Sequence, residues 1–76
     1  MSMEDRVRQV MADILDLDAD AIDDSTAMES VASWDSLSHI NLCLGLEQEF
    51  QVSLEVAEIE AMLSYPDILQ VLQQKL

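Results

Sequence analysis

The chain has 76 residues, sixteen of them acidic and three basic, for a formal net charge of −13 at pH 7. That length suits one small domain, and the expected organisation is a single unit over residues 1–76. The charge excludes nucleic acid as a partner, because phosphate backbones need Lys and Arg to displace their counterions. It disfavours an anionic membrane surface for the same reason.

No apolar run approaches the ~20 residues that a membrane span requires. The opening MSMEDRVRQV lacks a basic-then-apolar signal layout, so a cytoplasmic location is expected. Cys43 is the lone cysteine and has no partner for an internal disulfide; no CxxC or Cys/His cluster is available for zinc. The core must therefore hold unaided, which at this size leaves about 3–5 kcal/mol. High acidity with few aromatics is also a signature of disorder. Here half the residues are hydrophobic, one Gly and one Pro interrupt them, and the apolar positions are periodic. The chain folds.

The charge is unevenly spread. The basic residues are Arg6, Arg8 and Lys75, while residues 9–74 hold fourteen Asp/Glu and no Lys or Arg. That stretch has no cation of its own to pair with, so self-repulsion works against compactness. Such a field either serves solubility alone or steers the chain onto partners with basic docking patches.

The first helix is predicted from Met3 to Leu15, with Met3, Val7, Val10, Met11 and Ile14 along one face. Glu4 and Asp5 fall in its first turn, where the helix dipole favours negative charge. Residues 17–35 then show no sustained period, and five aspartates crowd their approach: Asp16, Asp18, Asp20, Asp23 and Asp24. So long an irregular connection in a small domain marks either function or a missed element. Leu17, Ile22, Met28 and Val31 are spaced to pin it on a helical core, with single turns expected near 19–22 and 28–31.

The second helix, the clearest, is expected from Ser36 to Phe50. A short third helix follows over about 53–62; Ser53 with Val56 does not make a capping box, which leaves its start open. Pro66 suits the first turn of a final helix over 66–75 that presents Ile68, Leu69, Val71 and Leu72. With no alternating strand pattern, the expected fold is all-α, a small four-helix bundle with a long first loop.

At 100° per residue from Ser36, Leu42, Leu46, His39, Phe50, Cys43 and Ile40 span an arc from about 240° through 0° to 40°, the expected core stripe. Leu37 and Leu44 fall near 100° and 80°, beside Asn41 and Gln48. They pack on the long loop, are merely exposed as single surface leucines often are, or form a docking ridge. Gly45 costs the helix about 1 kcal/mol relative to Ala, and close approach on its outer side is the expected return.

Asp35, Ser36 and His39 suggest a serine hydrolase, but no carboxylate is placed to orient the imidazole and no glycine-rich turn offers an oxyanion hole. His39 reads more simply as a half-buried histidine. The Asp16, Asp18, Asp20 series suggests a calcium loop, yet the positions that need Gly, an apolar residue and Glu hold Ala21, Asp23 and Ala27. No dedicated metal site is expected. Ser36 opens a long helix after a long loop, where the positive helix terminus favours an attached phosphate; equally, Ser36 or Asp35 is simply an N-cap.

The stretch Trp34-Asp35-Ser36-Leu37-Ser38-His39-Ile40-Asn41-Leu42, continuing to Leu46-Glu47-Gln48-Glu49-Phe50, closely resembles the phosphopantetheine-attachment region of acyl carrier proteins. The likeness covers essentially the whole chain. It implies that Ser36 carries 4′-phosphopantetheine, added from coenzyme A by a phosphopantetheinyl transferase, whose thiol holds an acyl group as a thioester. It implies a carrier, not an enzyme. Asp35, Leu37, Leu44 and Glu47 fall at partner-contacting positions, with Asn41 and Gln48 on the same face. Leu46 and Met62 fall at positions lining an acyl cavity, which His39 would reshape or polarise. The further partners implied are an acyl-loading ligase or acyltransferase and synthases or transferases with basic patches; a monomer is expected. Ser38, Asn41 and Gln48 are neutral where housekeeping fatty-acid carriers are typically acidic. Together with the W-D-S-L-x-H form, this resembles carriers of dedicated polyketide or nonribosomal peptide pathways. An aminoacyl or peptidyl carrier is the alternative; an unmodified acidic helical adaptor is a more distant one.

Overall fold

In the computed structural model, which describes residues 2–76, the chain forms four α-helices: α1 (Met3–Leu15), α2 (Ser36–Phe50), α3 (Val56–Ala61) and α4 (Tyr65–Lys75). Two single 3₁₀ turns, Ala19–Ala21 and Met28–Ser30, stand in the long first loop where the sequence placed them. The all-α, four-helix expectation holds.

Local chemistry sets the helix ends. Ser2 caps α1 by accepting from the Asp5 N–H at 3.1 Å, and Ser64 caps α4 by accepting from Asp67 N–H at 3.2 Å. Pro66 then sits in the first turn of α4, where its missing N–H costs no helical bond. The third helix is shorter than expected. It starts at Val56, not Ser53, because the box is made two residues later: the Glu58 carboxylate accepts from the Glu55 N–H at 2.8 Å. Both α1 and α2 end in a left-handed residue, Asp16 at φ 56° and Gln51 at φ 54°.

The core is built chiefly by α1, α2 and α4; α3 buries no residue fully, and only Ile59 of it packs at the core margin, with buried Met62 just beyond its end. Val7, Met11 and Leu15 of α1 meet Leu42, Cys43, Leu46 and Phe50 of α2, with Ile68 and Leu72 of α4 completing it. Met3, Val10 and Ile14 are only partly buried at its margin. Gly45 faces inward, contrary to expectation. A Cβ there would lie 3.2 Å from Val10 Cγ1 and 3.8 Å from Ile14 Cγ1, so the missing side chain lets α1 approach α2. That approach turns the buried arc of α2 toward α1 and away from Ile40, which is 56 % exposed instead of part of the core.

The long loop is held at several points. Ile22 is buried, and Leu17, Met28 and Val31 pack at the core margin. Thr26 and Trp34, which the pattern of apolar spacing does not single out, are buried too. The Tyr65 N–H donates to the Thr26 carbonyl at 2.9 Å, and Met28 N–H to the Leu63 carbonyl at 2.9 Å. These bonds flank a single antiparallel bridge between Ala27 and Ser64. Ser33 Oγ donates to the Leu15 carbonyl at 2.6 Å and fastens the loop's far end to α1.

Each of the three cations pairs with a carboxylate: Arg6 with Glu49 at 2.9 Å, Lys75 with Glu58 at 2.9 Å, and Arg8 with Asp5. The remaining acids repel one another without a cation of their own. Raising ionic strength from low to about 0.5 M should therefore raise the unfolding midpoint, on the order of 5 °C, as followed by circular dichroism. Gln51→Gly, which relieves a side chain held at positive φ, should stabilise the fold by about 0.5–1 kcal/mol in urea unfolding.

Candidate functional site

Helix α2 begins at the end of the long loop, and its first residue is exposed Ser36. Asp35 supplies the cap: its extended backbone lets Oδ1 accept from the Ser38 N–H at 2.9 Å. That bond, made to the ionised form, holds the Asp35 carboxyl below its usual value. The choice between Ser36 and Asp35 as N-cap thus falls to Asp35. Ser36 is released from any structural duty at a helix terminus whose partial positive charge suits a phosphodiester.

Leu37 and Leu44 do not pack on the long loop. They are 70 % and 51 % exposed, and Ile40 joins them between, so one side of α2 carries an apolar stripe at i, i+3 and i+7. Asn41 and Gln48 are exposed on the same helix. Glu47 is half-buried, and its Oε2 accepts from the Leu54 N–H at 2.7 Å, which binds the α2–α3 connection to the helix. Glu49 is drawn the other way. Arg6 Nε meets its Oε2 at 2.9 Å and Arg6 Nη2 donates to its carbonyl at 2.8 Å, with the guanidinium 4.5 Å from the Phe50 ring centre.

His39, Leu46 and Met62 all lie inside. None of these three residues lines the open surface depressions beside Ala19 and Ile22, between Met28 and Leu63, beside Ser25 and Tyr65, or between Val52 and Lys75. His39 is fully engaged: Trp34 Nε1 donates to its Nδ1 at 3.0 Å, and its Nε2 lies 2.7 Å from the Ile59 carbonyl. Neither nitrogen is left to serve Ser36 as a base, which removes the hydrolase arrangement on geometric grounds. Composition does not reveal this pairing. The five-residue offset between Trp34 and His39 is visible in sequence, but the carbonyl of Ile59 comes from a distant helix.

Cys43 is buried, with Sγ 3.9 Å from His39 Nε2. Burial, and to a lesser degree the nearby Glu47 charge, push its thiol up to about 11. A thiol so disposed stays protonated and is a poor nucleophile. Among the described residues no group of three or more His, Cys, Asp or Glu side chains is gathered so that it could hold a metal ion. Among the same residues no helix is long and apolar enough to cross a membrane.

Residues 5–73 match the family model described as "Phosphopantetheine attachment site". The chain belongs to this family of carrier domains, whose cofactor is 4′-phosphopantetheine and whose members carry rather than catalyse. It is 35 % identical over 74 residues to polyketide-8 synthase acyl carrier protein 2 of Streptomyces avermitilis, a match that spans 96 % of this chain and 84 % of that one. The resemblance to a carrier of a specialised pathway therefore stands.

Cys43 should resist an alkylating reagent in the native protein, reacting on the order of 100-fold more slowly than a free thiol. Mass spectrometry with and without urea measures the difference.

Proposed function

We propose that this chain is one carrier domain over residues 1–76 that holds an acyl group as a thioester on a 4′-phosphopantetheine arm attached to Ser36. The observation that carries the reading is the division of labour at the start of α2: Asp35 caps the helix, and Ser36 stands exposed beside it. When bound, the arm supplies a terminal thiol, the one reactive group of the assembly. The chain's own residues do the rest. Ser36 Oγ would form the phosphodiester bond as the pyrophosphate bond of coenzyme A breaks and adenosine 3′,5′-bisphosphate leaves, and the transferase must take the Ser36 proton, since His39 is occupied on both nitrogens. The N-terminus of α2 stabilises the phosphodiester charge.

Asp35, Leu37, Asn41, Leu44, Glu47 and Gln48 form the docking face. Exposure of Leu37 and Leu44 supports this role. Ile40, exposed between them, belongs to the same face. The acidic field gathers partners with basic patches at long range, while the apolar stripe makes the short-range contact. Those partners are a phosphopantetheinyl transferase, an acyl-loading ligase or acyltransferase, and the synthases or transferases that use the cargo. Similarity to a polyketide carrier favours an acyl over an aminoacyl or peptidyl cargo. His39, Leu46 and Met62 are the interior residues that a cargo would meet only by entering the bundle. The domain acts as a cytoplasmic monomer.

Incubation with coenzyme A and a broad-specificity phosphopantetheinyl transferase should add one arm per chain, seen in the intact mass. Ser36→Ala should add none. Leu37→Ala should lower kcat/KM of that modification roughly tenfold, as truncation of an interface anchor does. Equal modification of the Ser36→Ala chain would sink the assignment.

A further inference from the structure

The His39 imidazole is buried, 8 % exposed, and bridges three segments of the chain. Trp34 lies two residues before Ser36, His39 is in α2, and Ile59 is in α3. An indole nitrogen only donates, so the Trp34 N–H obliges His39 Nδ1 to accept and places the ring proton on Nε2. That proton is then directed at the Ile59 carbonyl, 2.7 Å away. Trp34 thus reinforces the one tautomer in which His39 can hold α3.

The six residues of α3 are too few to stay helical unaided. The Ile59 carbonyl falls in its last turn, where intrahelical donors run out; Met62 N–H reaches it only at 3.3 Å. Among the described residues the other polar tie from α3 to a neighbouring helix is the surface pair of Glu58 with Lys75. Leu46 of α2 and Met62 at the end of α3 are both fully buried in the common core.

We propose that the Trp34–His39 pair closes the seam between α2 and α3 and so selects cargo, keeping the acyl group on the Ser36 arm outside the bundle. This rests on the carrier reading above. An alkyl chain entering the seam has to part His39 Nε2 from the Ile59 carbonyl, stranding the buried imidazole N–H and leaving the half-buried carbonyl only its long bond from Met62 N–H. It gains only side chains that already pack against one another. The unmade bond disfavours opening by about tenfold. Short or oxygenated acyl groups lose little by remaining in water, and they are the class this carrier suits; long alkyl chains are not.

Trp34→Phe keeps the ring and removes the N–H, freeing His39 to place its proton on the wrong nitrogen. In native-state hydrogen exchange on the apo-protein, the Ile59 and Met62 amides should then exchange about tenfold faster. Met11 and Ile68 amides, in α1 and α4, should keep wild-type rates. His39→Gln offers an amide N–H near the Nε2 position with no tautomer to set, so Trp34→Phe in that background should leave α3 exchange unchanged. On the holo-protein, acetyl and octanoyl thioesters should leave the Leu46 and Met62 methyl resonances alike in the wild type; octanoyl should shift them in Trp34→Phe.

Equal acceleration in α1 and α3, unchanged α3 exchange in Trp34→Phe, or octanoyl-dependent shifts in the wild type would each overturn the proposal. Failure of Ser36 to accept the arm would remove the carrier reading and the cargo selection with it. The exchange measurement on the apo-protein decides the closure separately.

Discussion

Helix α2 has to be buried along one side and bare along the other, and the rest of the molecule is arranged around that division. On the buried side, Leu42, Leu46 and Phe50 join the core of α1 and α4, and Gly45 lets the Val10 and Ile14 side chains of α1 come close. On the bare side, Leu37, Ile40 and Leu44 meet solvent. A carrier domain needs both properties in one helix. A rigid inner face fixes the position of the attachment residue, and a free outer face leaves room for whatever must reach it.

The long first loop serves the same end. Its path is set by Ile22, Thr26 and Trp34 in the interior and by backbone bonds to the α3–α4 junction. Ser33 on Leu15 then sets the entry into α2. The loop delivers Asp35 to the cap position, and the cap in turn leaves Ser36 exposed. With so many acids and so few cations, electrostatics contribute little net cohesion, and each cation is used where two pieces of structure meet. Arg6 joins α1 to the end of α2, Lys75 joins α4 to α3, and Arg8 reaches the Tyr65 hydroxyl at 2.8 Å.

Much of this is legible in the amino-acid order because it is local. Periodicity marks α1, α2 and α4; Pro66 marks the start of α4; the acidic loop and its two short turns follow from spacing. The start of α3 is misplaced by three residues because its box depends on which glutamate reaches back, and two candidates lie close together in sequence. Ile40 sits at the edge of the helical-wheel arc, where a small rotation of α2 moves a side chain from core to solvent. Gly45 is read on the wrong side for the same reason: a wheel gives angles around one helix but not the direction from which its neighbour comes.

Sequence by itself determines that the chain is a small, acidic, all-helical carrier with Ser36 at the head of its second helix, since periodicity, capping chemistry and a contiguous motif are all written in neighbouring residues. Tertiary structure alone decides which residue is the cap and which is free, which way Gly45 faces, and that His39 is committed to Trp34 and to a carbonyl twenty residues on. Those outcomes depend on how helices approach one another. A hydrogen bond between distant segments exists only once packing has brought a donor and an acceptor to within about 3 Å.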